Sequence, residues 1–445
     1  MSMDPPDAVP SGCTPQTRTI KVGAITRVEG EGALSIHVLD GTVKDLELRI
    51  YEAPRFFEAL LRGRKLEEAP DITARICGIC PVAYQMSAVH AMEDALSITI
   101  SPEIRQLRRL LYCGEWIESH ALHIHLLHAP DFLGYESGIA MAKDYPDEVK
   151  RGLRLKKQGN ELVAMLGGRA IHPINVAVGG FYRAPTAGEL QALIPDFQWG
   201  LDAAVAATRW VAGFSFPDFD RDYDLVSLVH SAEYPMNEGQ IGFSSNATTI
   251  PVANYELEFQ ELQVPHSNAL HSMRNSTQAP YLVGPLARIS LNWNLLAPIS
   301  RQLAVECGFD RGCRNPYRGI IARAIEVVHA YEEALAIITS YRRPDPCRID
   351  YVQREAQGCA ATEAPRGLLY HRYNVGADGL IREAKIVPPT SQNQWQIESD
   401  LRELLPEVLH ESDEVVAELC EELVRSYDPC ISCATHFLHV DVRRQ

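Results

Sequence analysis

Two C-x-x-C pairs, Cys77 and Cys80 in RICGIC and Cys430 and Cys433 in DPCISC, stand 350 residues apart near opposite ends of a 445-residue chain. Two cysteines spaced this way can chelate one ion, because a helical first turn or a tight loop places both sulfurs on one side. If the pairs serve a common ion, folding must close the two ends of the chain onto each other. Four thiolates would select zinc, nickel, copper(I) or iron–sulfur chemistry over magnesium or calcium. Spacing alone leaves three readings open: a structural zinc site, a redox or catalytic metal, or two unrelated pairs. The other seven cysteines (Cys13, Cys113, Cys307, Cys313, Cys347, Cys359 and Cys420) show no ligand-like spacing. An odd total of eleven with no signal peptide fits reduced thiols better than a disulfide framework.

Charge and hydropathy narrow the class further. A formal net charge of −16 argues against a nucleic-acid partner, since binding to a phosphate backbone is carried by basic surface. No apolar run is long enough to span a bilayer. The N-terminal MSMDPPDAVPSGC has neither a basic nor an apolar stretch, so residues 1–17 read as a loose lead-in.

Alternation of apolar and polar residues over 18–51, with Asp40-Gly41 as a two-residue turn, predicts a small antiparallel sheet at the start. The period then lengthens. APRFFEALLRG predicts a short helix ending near Gly63, and Ser101-Pro102-Glu103 is a helix start opening a segment through about His128. Further helical patterns run near 186–212, 293–306, 316–341, 394–409 and 411–426, and a second hairpin is expected around residues 376–379. The middle, about 213–292, is loop-rich. The expected architecture is mainly α with small antiparallel β-sheets (α+β), and residues 18–436 form one large unit.

The residues flanking the cysteines go beyond spacing. RICGICPVAYQMSAVHAMEDAL and DPCISCATH strongly resemble the two signature motifs of the large, catalytic subunit of nickel–iron hydrogenases. The likeness continues, in the family's order, through TRVEGEG (26–32), PRFFEALLRGR (54–64), GGRAIHPIN (167–175), EAPRGLLYHRY (363–373) and IVPPTSQNQWQIESDL (386–401). The wording of the motifs is most similar to the soluble, bidirectional, NAD(P)-linked branch.

The resemblance implies a nickel–iron centre with cyanide and carbon monoxide on the iron. Cys77 and Cys430 would be terminal nickel ligands, Cys80 and Cys433 the bridges, and Cys430 also the base that receives a proton. Glu29 matches the proton-transfer glutamate. Arg366 matches a guanidinium over the open face of the metal pair, although taken alone it reads as an ion pair with Glu363. Asp131 and Asp428 match acids that orient that arginine and its surroundings. Pro365, Pro388, Pro389 and Thr390 match the cage around the diatomic ligands, with Thr390 a hydrogen-bond donor to a cyanide. Glu58, the Ile386 carbonyl and His436 match a magnesium-type site, where oxygen donors suit a hard ion. His120, His123, His125 and His128 read as buried hydrogen-bonding residues rather than ligands, and His172-Pro173 as structural.

One position departs from the pattern. Where the family usually has histidine four residues after Cys80, this chain has Tyr84, which can donate one hydrogen bond toward a bridging thiolate but cannot become cationic. Residues 437–445, FLHVDVRRQ, match the C-terminal extension that a dedicated maturation protease removes in this family. The implied function is reversible cleavage of hydrogen in the cytoplasm. Electrons would pass to a small iron–sulfur subunit and flavin- and NAD(P)-reducing diaphorase subunits, because this chain lacks cysteines for its own relay. A hydrogen-sensing subunit, or a metal-free structural relative in a respiratory complex, are the alternatives.

Overall fold

In the computed structural model, which describes residues 17–435, the first sheet forms where the alternation predicts it. Strands β1 (Thr17–Val22), β2 (Gly32–Leu39) and β3 (Thr42–Ile50) pair antiparallel in that order. Asp40 and Gly41 both take positive φ (50° and 72°), the backbone that a two-residue turn matched to strand twist requires. Ile20, Leu34, Ile36, Leu46 and Leu48 point inward from this sheet. His436, residues 437–445 and the lead-in through residue 16 lie outside the described residues, as do the expectations attached to them.

Long helices and a second meander make most of the remaining core. The Cys80-Pro81 step opens α1 (Pro81–Leu96), which is buried on nearly every side. Such a helix has no polar stripe, so it carries no amphipathic period and was absent from the sequence expectation. Ser101 caps α2 (Pro102–Leu122) by accepting from the Ile104 amide at 3.3 Å, with Pro102 in the first turn. The predicted continuation to His128 is helical, but residues His123–His128 wind as a π-helix. A further helix, α3 (Pro146–Gly167), also escaped the periodicity reading; α4 (Gly319–Ser340) did not.

The loop-rich middle contains short strands and the helix Pro285–Asn292. Four of them form one small sheet, and β4 (Phe259–Leu262) pairs antiparallel with β5 (His271–Arg274). The second predicted hairpin is present: β6 (Ala356–Ala364), β7 (Gly367–Val375) and β8 (Ile381–Val387) form an antiparallel sheet. It leads into α5 (Pro389–Val408), which starts earlier than the pattern indicated, and α6 (Asp413–Ser426).

Closure of the chain ends is carried by backbone pairing. Glu29 and Cys430 form a parallel bridge, and the Ile431 amide donates to the Glu29 carbonyl at 2.9 Å. Gly30 makes this approach possible. Its φ is +90°, and a Cβ there would sit 2.7 Å from the Ile431 Cβ and 2.9 Å from the Ser432 nitrogen.

Candidate metal centre

Cys77 follows a short 3-10 turn in extended conformation, and Cys80 occupies the cap position of α1. The amides of Ile79 and Cys80 donate to the Cys77 sulfur at 3.3 and 3.1 Å, folding the C-x-x-C loop around it. At the other end Cys430 caps the short helix Ile431–Ala434, which contains Cys433. The four sulfurs lie within 4.8 Å of one another, all buried. Sγ–Sγ separations are 3.6 Å for Cys77–Cys430, 3.8 Å for Cys80–Cys433 and 2.7 Å for Cys430–Cys433. All exceed the roughly 2.05 Å of a disulfide. Burial opposes ionisation of Cys77, but hydrogen bonds from Cys430, Cys433 and Cys80 hold its thiol well below the usual range. Burial and the same neighbours push Cys430 well above it. Four buried sulfurs this close together are a donor set suited to a soft divalent cation, and they fit a nickel–iron site.

Glu29 meets this cluster from the opposite chain end. Its Oε2 accepts from the Cys430 sulfur at 3.1 Å and from the Ser432 amide at 3.0 Å, and the side chain is half-buried. Thr390, in the first turn of α5, accepts from the Cys430 amide at 3.0 Å, which leaves its hydroxyl proton for another acceptor. Pro388 and Pro389 cap and begin that helix, and both are buried.

Arg366 sits on the two-residue turn Pro365-Arg366 that joins β6 to β7, since Ala364 pairs directly with Gly367. Gly367 (φ +131°) lets the turn press against the chain at Gly284, where a Cβ would lie 2.7 Å from the Gly284 nitrogen. Arg366 is buried and does not pair with Glu363. Its Nε donates to the Asp428 carbonyl at 2.7 Å and its Nη2 to Asp428 Oδ1 at 3.0 Å, while Nη1 has no hydrogen-bond partner among the described residues. Burial disfavours its charge, yet Asp428 and the Cys430, Cys80 and Cys77 sulfurs hold it well above the ordinary range.

Asp131 does not touch Arg366. It accepts from Arg27, from Arg425 through Nε and Nη2 at 2.9 Å each, and contacts His128 Nδ1 at 3.0 Å. Burial would raise this carboxyl, but His128 and Arg425 hold it well below the usual range. Arg27 is two residues before Glu29, and Arg425 also donates to the Thr26 carbonyl at 3.3 Å. Asp131 thereby fastens the Glu29 segment to the helix that leads into Cys430. Sequence reading missed Arg27 and Arg425, whose only signal was their closeness to matched residues.

The histidines at the end of α2 and on the π-turn serve separate partners. His120 contacts Glu326 at 3.0 Å, His123 the Arg425 carbonyl at 2.9 Å, and His125 stacks on Trp210. Tyr84 is buried, and its hydroxyl has no hydrogen-bond partner among the described residues. Burial and the charges of Cys433 and Cys80 hold this phenol well above its ordinary range, so it stays protonated. Glu58 is half-buried and accepts from the Ile386 amide at 2.7 Å. It borders a cavity of about 420 Å³ with Glu256, Glu261 and Lys385.

The fold and the site define a protein whose two chain ends bring four buried cysteine sulfurs together as a donor set suited to a soft transition metal. Comparison with known proteins gives that class a family. The model of the nickel-dependent hydrogenase family matches residues 55–150 and 321–436. The alpha subunit of sulfhydrogenase 1 from Pyrococcus furiosus is 34% identical over 434 residues, covering 95% of this chain and 98% of the relative. The beta subunit of the NAD-reducing hydrogenase HoxS from Cupriavidus necator is 26% identical, covering 95% of each. Among solved structures, an NAD+-reducing NiFe hydrogenase in the H2-reduced state superposes with a TM-score of 0.83 at 26% identity, over 94% of this chain and 99% of that one. The chain belongs to the nickel-dependent hydrogenase large-subunit family, whose enzymes are oxidoreductases acting on H2.

Proposed function

We propose that this chain is the catalytic subunit of a nickel–iron hydrogenase that reversibly and heterolytically cleaves H2 into two protons and two electrons. The observation that carries this reading is the 3.1 Å contact between the Cys430 sulfur and Glu29 Oε2 inside a four-cysteine chelate. When bound by Cys77, Cys80, Cys430 and Cys433, the nickel–iron centre with its carbon monoxide and cyanide ligands supplies a soft, redox-active acceptor for the electrons of H2. The chain's own groups manage the protons. The Cys430 sulfur receives one, and Glu29 Oε2, already at hydrogen-bond distance, takes it onward; half-burial gives that carboxylate a route toward water. Arg366, fixed by Asp428 and permanently charged, stabilises negative charge at the sulfurs. The Thr390 hydroxyl, with its oxygen occupied by the Cys430 amide, is free to donate to a cyanide within the cage of Pro365, Pro388 and Pro389.

The same reading assigns Glu58, the Ile386 carbonyl and His436 to magnesium or another divalent ion. It assigns the electrons to a small iron–sulfur subunit and then to diaphorase subunits that reduce NAD(P), in the cytoplasm. That partner set is supported by the NAD-reducing relatives. No described helix is long and apolar enough to cross a membrane. A maturation protease would remove residues 437–445.

Glu29→Gln tests the reading. The variant is expected to keep nickel, iron and the infrared bands of carbon monoxide and cyanide while losing about 10²–10⁴-fold in hydrogen oxidation. Unchanged turnover would remove Glu29 from the relay. Zinc alone in the wild-type protein, without those bands, would return the site to a structural role. Turnover with NAD(P) or a dye separates an enzyme from a hydrogen sensor built on the same site.

A further inference from the structure

We infer that His266, His271 and Glu398 form a further metal site, for a divalent first-row transition ion of the zinc type. One donor atom from each of the three lies within 4.8 Å of the others. Three separate segments bring them together: the loop after β4 supplies His266, β5 opens with His271, and Glu398 projects from the middle of α5. His266 Nε2 stands 2.8 Å from Glu398 Oε1, and that same oxygen accepts from the Leu48 amide of β3 at 2.9 Å.

A simple imidazole–carboxylate pair would account for His266 and Glu398 but not for His271. That residue is 4% exposed, its ring packs edge-on to His266 at 5.6 Å, and its Nε2 has no hydrogen-bond partner among the described residues. A buried imidazole nitrogen left without a partner forfeits a hydrogen bond it made in water. A metal ion satisfies that nitrogen and the carboxylate together.

The donor set selects the ion. Two imidazoles and one carboxylate suit zinc and its first-row neighbours, whereas magnesium and calcium take oxygen ligands. Ligand atoms around tetrahedral zinc lie about 3.3 Å apart, so the present spread closes by less than about 1.5 Å through rotation of the histidine side chains. Three protein ligands leave a fourth position for water. His266 retains 17% side-chain exposure, which gives the ion a way in. The lining of the Glu58 cavity includes none of these three residues. An ion here would tie α5, whose first turn carries Thr390, to the β4–β5 hairpin.

Cobalt(II) tests the site on protein already loaded at the four-cysteine centre and stripped of loosely held metal with a chelator. One equivalent is expected to bind and give ligand-field absorption without thiolate-to-cobalt charge transfer. His271→Leu and Glu398→Gln should each weaken binding at least tenfold while leaving nickel and iron content unchanged. Zinc should raise the melting temperature of the wild type and of neither variant. Glu398→Gln keeps an acceptor for the Leu48 amide, so it carries the test if His271→Leu fails to fold. No cobalt binding by the wild type, thiolate charge transfer on the first equivalent, or wild-type affinity in Glu398→Gln would overturn the inference. None of these outcomes bears on whether the four-cysteine centre turns over hydrogen.

Discussion

Two buried arginines flank the β6–β7 turn, and they differ in how they use their donors. Arg288 spends everything. Its Nε and Nη2 reach Glu326 at 2.7 Å each, Nη1 reaches Glu363 at 3.0 Å and the Ala364 carbonyl at 2.8 Å, and Nη2 also donates to the Pro365 carbonyl at 2.9 Å. Arg366, one residue beyond Pro365, satisfies only Nε and Nη2 and leaves Nη1 unpartnered beside the sulfurs. A saturated guanidinium is a structural rivet that holds the turn from behind. One with a spare donor has capacity that the described residues do not use.

The two should therefore fail differently. Arg288→Met leaves Glu326 and Glu363 buried without a cation, and breaking a buried pair this way costs about 3–5 kcal/mol. The expected outcome is a large fall in melting temperature or loss of soluble protein; near-wild-type thermal stability would break the distinction. Arg366→Lys keeps the charge but cannot make the forked contact with Asp428 and also present a free donor. Hydrogen oxidation should drop about 10²–10³-fold. Metal content should persist and stability should change less than in Arg288→Met, because Arg323 also lies 3.9 Å from Asp428. Melting curves alongside turnover would show whether the effects separate.

The Arg288 cluster also sets a pH dependence. One guanidinium cannot keep two buried carboxylates ionised with equal ease. Burial opposes ionisation of Glu326, but Arg288 and His120 hold it at about 2; burial outweighs Arg288 at Glu363 and pushes it up to about 7. Between the ordinary 4.5 and about 7, the folded chain holds a proton on Glu363 that the unfolded chain has released. Stability should therefore fall as pH rises through that window, by up to about 1.4 kcal/mol per pH unit. Glu326 acts in the other direction: its contribution is complete above 4.5 and is lost as pH falls toward about 2. Glu363→Gln should flatten the slope between pH 4.5 and 7 in denaturant titrations. An unaltered slope would assign it to other groups.

What the sequence disclosed follows from the range of each interaction. Asp40-Gly41, the Ser101 cap and the turn at 376–379 are local chemistry and are legible in a few residues. The α1 helix was not, because uniform burial erases its period, and the middle sheets were not, because strands of two to five residues carry too few alternations. At the site, motif likeness located the cysteines and Glu29. It could not identify partners. Glu363 looked like the mate of Arg366 because it is three residues away, whereas the turn sends it to Arg288, 75 residues distant. Likewise Asp131 and Arg425 meet across 294 residues, and no local pattern marks that pairing.

Tyr84 offers the smallest and sharpest extension of the contrast between spent and spare donors. Its hydroxyl, like Arg366 Nη1, is buried without a hydrogen-bond partner among the described residues. If that hydroxyl were structural, Tyr84→Phe would weaken the fold. A spare donor predicts the reverse: removing an unpaired buried hydroxyl should leave stability unchanged or raise it by about 1 kcal/mol. Because the protonated phenol can withdraw electron density from a nearby thiolate, its loss should also shift the infrared bands of the loaded centre and slow hydrogen oxidation by about tenfold. Phe would remove the donor while keeping the ring that packs 5.8 Å from His371. A destabilised variant with unmoved bands would place Tyr84 with Arg288 among the rivets rather than with Arg366.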